Sequence, residues 1–158
     1  MRGSATGSGD HGRLKGAAGF SLIELMVALA VASLVYFMAM PGYRYAVLKA
    51  NRIAGKGVLL DVMARQERYF IDHARYAPNL PELGLPEPYL VDGRAQPAPG
   101  GRSVYSVELV WDGEEFLGAQ AVPRNRQRQD AQCMTFTLRP TGARAVSGTL
   151  SARPYLCW

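Results

Sequence analysis

From Phe20 to Met40 the chain is apolar, and Glu24 is the only charged residue among these 21 positions. A helix of that length is about 31 Å long at ~1.5 Å rise per residue, close to the thickness of a bilayer core. After Pro41 the apolar positions thin out to one face: Leu48, Leu59, Val62, Met63, Gln66 and Phe70 recur at helical spacing. Lys49, Arg52 and Lys56 form a basic stripe on another side, and Asp61/Arg65 and Arg68/Asp72 are i,i+4 pairs. The pattern predicts one helix from about Phe20 to about His73, apolar all round in its first half and amphipathic in its second. Pro41-Gly42 and Gly55-Lys56-Gly57 are its weak points. Two readings fit the glycines: a segment that melts when the helix is pulled, or close packing against a sheet.

From Tyr76 to Gly101 prolines and glycines crowd the chain, which excludes a long helix or a central strand. This stretch is expected to be a loop layer at the surface or at a subunit contact. Alternation then predicts strands over 104–111, 116–122, 134–138 and 143–147. Asp112-Gly113 marks a hairpin between the first two, and Pro140-Thr141-Gly142 marks a turn before the last. The expected fold class is α+β, a long N-terminal helix packed on an antiparallel β-meander of about four strands.

Residues 1–19 are rich in Gly and Ser and carry Arg2, Arg13, Lys15 and Asp10, a net charge of +2. Without them the formal charge falls from +5 to +3 and 139 residues remain. Three basic residues precede the apolar run and four closely follow it, so the positive-inside count does not orient it. The run is longer than a secretory h-region and lacks an A-x-A end, which argues against a cleaved secretory signal. Cys133 and Cys157 are the only cysteines. An even pair in a small domain fits a disulfide in an oxidising compartment, and two separate buried thiols are the alternative.

Gly19-Phe20-Ser21-Leu22-Ile23-Glu24-Leu25-Met26 resembles the class III signal of type IV pilins and related pseudopilins. The resemblance implies cleavage by a prepilin peptidase after Gly19 and N-methylation of Phe20. It also implies that Glu24 pairs with that amine on a neighbouring subunit, and that Pro41 is the proline that weakens many pilin helices. The stretch from Tyr76 to Gly84 is similar to the matching region of type IVa pilins, and Cys133…Cys157-Trp158 to their disulfide-closed C-terminal region, particularly in minor pilins. The leader departs from the pattern by its length and by Ala17-Ala18 before the cut site. Snorkelling towards the nearby mature end is a second explanation for a carboxylate in this run, whereas pairing with an amine gains from a low dielectric.

The resemblance therefore implies three segments: a cleaved leader over 1–19, a transmembrane and filament-core helix over 20–40, and a periplasmic, later extracellular, pilin domain over 41–158. The implied partners are other pilin subunits, the prepilin peptidase, the inner-membrane assembly platform and the membrane as an assembly stage. The implied location is the inner membrane, single-pass, and then a cell-surface pilus serving adhesion, twitching or DNA uptake. A type II secretion pseudopilin and a plain bitopic anchor are the alternative structural readings.

Sequence motifs for catalysis are absent: there is no Gly-rich phosphate loop, HExxH, Gly-x-Ser-x-Gly or CxxC. His11 and His73 are too few and too far apart to suggest a metal site, and Glu114-Glu115 reads as a solvated turn. No cofactor and no enzymatic activity is expected. One segment suggests a ligand. From Arg124 onward there are six arginines and a single acid, Asp130. In an extended segment Arg124, Arg126 and Arg128 share one side and suit the phosphates of DNA. A solvated loop, or a contact with a neighbouring subunit, suits them as well.

Overall fold

The structure, a computed structural model, describes residues 20–158. Gly19 and the leader lie outside the described residues. The described chain divides into two units between Met40 and Pro41. Helix α1, Leu22–His73, runs unbroken through both Pro41-Gly42 and Gly55-Gly57. Residues 20–39 are exposed on every side of the helix. α1 is long and apolar enough there to cross a membrane, by length and composition.

In the second unit α1 packs on a five-stranded sheet. The strands are β1 (Tyr89–Val91), β2 (Tyr105–Asp112), β3 (Glu115–Pro123), β4 (Phe136–Leu138) and β5 (Arg144–Val146). They lie in chain order, and each pairs antiparallel with the next. The expected meander is present, with one strand more than the alternation pattern revealed. That strand, β1, is three residues long, follows Pro88 and pairs with β2, Tyr89 opposite Val107, while Val91 also makes an isolated bridge to Pro97. An edge tolerates neighbouring prolines because half its backbone groups need no ladder partner.

The core forms where α1 lays Val58, Leu59, Val62 and Met63 on Tyr105, Val107, Ala119, Ala121 and Phe136. Gln66 is also fully buried, as its position on the apolar face required. Its amide donates to the Ala77 carbonyl at 2.9 Å and accepts from the Ala77 N–H at 2.8 Å. One side chain thereby satisfies the backbone of the chain leaving the helix. Two expectations for this region need correction. Phe70 does not join the buried face. It is 41% exposed and stacks on Tyr76 with ring centroids 4.8 Å apart. The proline-rich stretch is not wholly a surface layer, because Ala77, Leu80, Leu83 and Leu85 enter the core.

The glycines separate. A Cβ on Gly55 would come within 2.9 Å of the Tyr105 ring, whereas one on Gly57 would meet nothing within 4 Å. At Gly55 the helix therefore packs closely on the sheet, as the packing reading holds, and Gly57 is open. Gly118 has φ +131 and faces the Leu138 carbonyl, so only glycine lets β4 close on β3 there.

Cys133 and Cys157 form a disulfide with their Cα atoms 5.8 Å apart. The Trp158 ring sits edge-on to Phe136 at 5.5 Å, and its indole N–H donates to the Ala145 carbonyl at 3.1 Å. The chain end is thus fixed both covalently and by packing.

Candidate functional site

The arginine-bearing segment is held from beneath. Asn125–Gln129 is a short 3-10 turn, and only Arg124 before it is extended. The expectation of three guanidinium groups on one side of an extended strand is therefore corrected. At three residues per turn, Arg126 and Arg128 point in different directions. Both are exposed, and Arg124 is half-buried. The turn forms because its polar residues have buried partners. Asn125, at φ 47, donates through its amide to the carbonyls of Gly100 (2.6 Å) and Ser103 (2.9 Å). The Arg124 N–H donates to the Val104 carbonyl at 2.8 Å.

Gln127 points inward and is only 1% exposed. Its two amide hydrogens are shared among the Leu48 carbonyl (3.2 Å), the Tyr105 hydroxyl (3.1 Å) and the Asp130 carboxylate (3.3 Å). Its oxygen accepts from the Asn51 amide at 3.0 Å.

Asp130 closes the turn and is buried against Arg52 of α1. The guanidinium donates Nε–H to Oδ2 at 2.8 Å and Nη2–H to Oδ1 at 2.7 Å. Nη2 also reaches the Gln132 side-chain oxygen at 3.1 Å, which the Tyr45 hydroxyl shares at the same distance. Arg52 was expected in a basic stripe. It is 5% exposed, and its bond to Asp130 raises the guanidinium above its ordinary value despite desolvation. Lys56, of the same stripe, donates to the Cys157 carbonyl at 3.1 Å, and burial lowers its ammonium, helped by Arg52 and Arg144. Burial, with the Asp130 charge, pushes the Tyr105 phenol well above its usual value. The i,i+4 pair Asp61–Arg65 forms at 2.9 Å, and no ion pair joins Arg68 to Asp72 among the described residues.

Sequence reasoning singled out the three arginines but missed the network that holds them, Asn51, Arg52, Tyr105, Gln127 and Asp130. One signal pointed to it: a lone acid in an arginine-rich run, in a chain that has no acid between Glu24 and Asp61.

At the other end, Phe20 is 78% exposed just before the helix. Glu24 is exposed in the first helical turn, where the helix dipole favours an acid. Ser21-x-x-Glu24 also has the order of a capping box, a signal the sequence reading passed over. The backbone at Pro41 is helical, and its side chain lies outside the described residues. Groups of three or more His, Cys, Asp or Glu that could hold a metal ion do not occur among the described residues.

A long N-terminal helix, a five-stranded meander and a disulfide-closed C-terminus define a pilin-like α+β protein. Residues 14–39 match the model described as the prokaryotic N-terminal methylation motif. Residues 41–137 match the model described as type IV minor pilin ComP, DNA uptake sequence receptor. The chain belongs to this ComP family and is a minor pilin of a type IV pilus. It is membrane-anchored first and pilus-assembled later, with other pilins and the prepilin peptidase as partners. Pilin families are structural rather than enzymatic. None of the curated proteins compared with the chain matches it.

Proposed function

We propose that this minor pilin receives DNA at the pilus surface, with Arg124, Arg126 and Arg128 gripping phosphates. The observation that carries this reading is a turn whose inward residues, Gln127 and Asp130, are locked into the core while Arg126 and Arg128 face solvent and Arg124 is half-buried beside them. The family model spans this turn and names a DNA receptor. Anchoring matters because a charged loop that must first be ordered loses part of its binding free energy to that ordering. Arginines spread around a turn suit phosphates arriving from more than one direction, and they carry no sequence information. Base recognition would need other side chains.

Fluorescence anisotropy of the processed full chain with two duplexes of different sequence tests this reading. Each phosphate contact steepens the salt dependence by about 0.9 in log–log slope. The triple variant R124A/R126A/R128A is expected to flatten the slope by roughly 2–3 and to weaken both duplexes alike. Unchanged affinity in that variant would remove the arginine turn from the interface.

The same proposal covers the N-terminus. Phe20, freed by cleavage after Gly19, is the methylated residue. Glu24 receives its amine from a neighbouring subunit. The domain over 41–158 faces the periplasm, where an oxidising environment maintains the disulfide, and the inner-membrane platform supplies assembly. Glu24→Ala should be cleaved normally yet be missing from sheared filaments; its presence there at normal abundance would refute the pairing.

A further inference from the structure

A small cavity of about 180 Å³ lies beside the arginine turn, lined by Tyr43, Arg44, Val47, Leu48, Arg126 and Gln129. It joins a helix residue and a turn residue that sequence spacing could not bring together. Its lining includes two arginines, a tyrosine and a glutamine, and no carboxylate residue. Neither Arg44 nor Arg126 is paired with an acid among the described residues. This is donor chemistry for a phosphate group.

We infer that this pocket binds the phosphate headgroup of an anionic lipid while the subunit is still in the membrane. The tether identifies the occupant. Arg44 follows Met40, the last residue of the apolar run, by four residues. Four residues of chain span at most ~14 Å in any conformation. Arg44 is therefore bound to stay close to the headgroup layer, and its long side chain can reach back further. Tyr43 and Tyr45, 68% and 49% exposed, are the residue type that settles at the membrane–water interface. Asp61 is the first acid after Glu24, so no carboxylate in the intervening chain opposes an anionic surface.

The inference rests on the membrane-anchored stage and not on DNA binding, although Arg126 serves both. A lipid in the pocket and DNA on the turn exclude each other at that residue. Subunits waiting in the membrane would then have Arg126 occupied, and assembly into the pilus would free it.

The test uses the processed full chain in phosphatidylcholine nanodiscs doped with a headgroup-photoreactive phosphatidylglycerol. Labelling is expected within 43–48 and 126–129. It should fall on the order of tenfold in R44Q/R126Q and less in R44Q alone. It should persist in R139Q/R153Q, which alters two exposed arginines elsewhere. Equal labelling of R44Q/R126Q and wild type would overturn the inference. So would equal labelling by a photoreactive phosphatidylcholine, or displacement by millimolar inorganic phosphate, which would make the pocket a site for the free ion. Failure to bind DNA would leave the labelling unaltered, and failure to label would leave DNA binding unaltered, so the two readings fail separately.

Discussion

Arg52 and Asp130, 78 residues apart in the chain, meet through two parallel hydrogen bonds of 2.8 and 2.7 Å with both side chains almost fully buried. This pair joins α1 to the turn that presents the arginines. Removing one partner strands a charge in the interior, which typically costs about 3–5 kcal/mol. Arg52→Met and Asp130→Leu should each destabilise by roughly that amount, and the double variant by much less than the sum. Urea unfolding of the four species measures the coupling; strictly additive losses would show that the pair contributes no mutual stabilisation.

Gly55 and Gly57 should respond to alanine in opposite directions. Alanine is worth about 1 kcal/mol over glycine inside a helix, and at Gly57 a Cβ enters open space. Gly57→Ala should therefore stabilise by up to ~1 kcal/mol. At Gly55 the same Cβ meets the Tyr105 ring at 2.9 Å. That ring is fully buried and held by Gln127, so overpacking of about 1–3 kcal/mol should outweigh the helical gain. Thermal melts of the two variants decide the point, and a stabilised Gly55→Ala would refute the close-packing account.

The disulfide closes a loop with a sequence separation of 24. The chain-entropy model values such a loop at about 3–4 kcal/mol. Cys133→Ser should lose about that much stability, together with the non-reducing gel shift and the contacts of Trp158. If the Trp158 fluorescence and the urea midpoint both stayed at wild-type values, the C-terminal segment would be held without the bond.

Alkaline pH should unfold the domain through Tyr105. Burial raises its folded-state pKa, so the folded protein keeps the phenol protonated while the unfolded chain releases it near pH 10. This contribution is fully present below the unfolded value and is lost as pH rises above it, at about 1.4 kcal/mol per pH unit. Tyr76 and Tyr89 are shifted upward by burial and act in the same sense. Lys56, shifted downward, acts in the opposite one. Tyrosinate absorbance should show a slow phase that coincides with loss of circular dichroism; release of every phenolic proton before unfolding would contradict the burial of Tyr105.

The long helix, the hairpin at Asp112-Gly113, the three strands after it and the N-terminal methylation motif were legible because each is written in neighbours. Helical spacing, alternation and turn residues are correlations over two to four positions, and a chain carries them openly. The cysteine pair was legible for a different reason: only one pairing was available.

Tertiary structure alone decided that Arg52 leaves the solvated stripe to meet Asp130 and that Gln127 turns inward. It also decided that Arg126 and Arg128 diverge, that Arg126 and Arg44 line one cavity, and that the leucines of a proline-rich stretch enter the core. Tyr89–Val91 became a strand only because β2 offered it an edge. No local pattern marks such partners. Burying a charge or an amide is favourable only when a specific partner arrives with it. Here that partner lies some 76 to 78 residues away, brought there by the packing of the sheet on the helix.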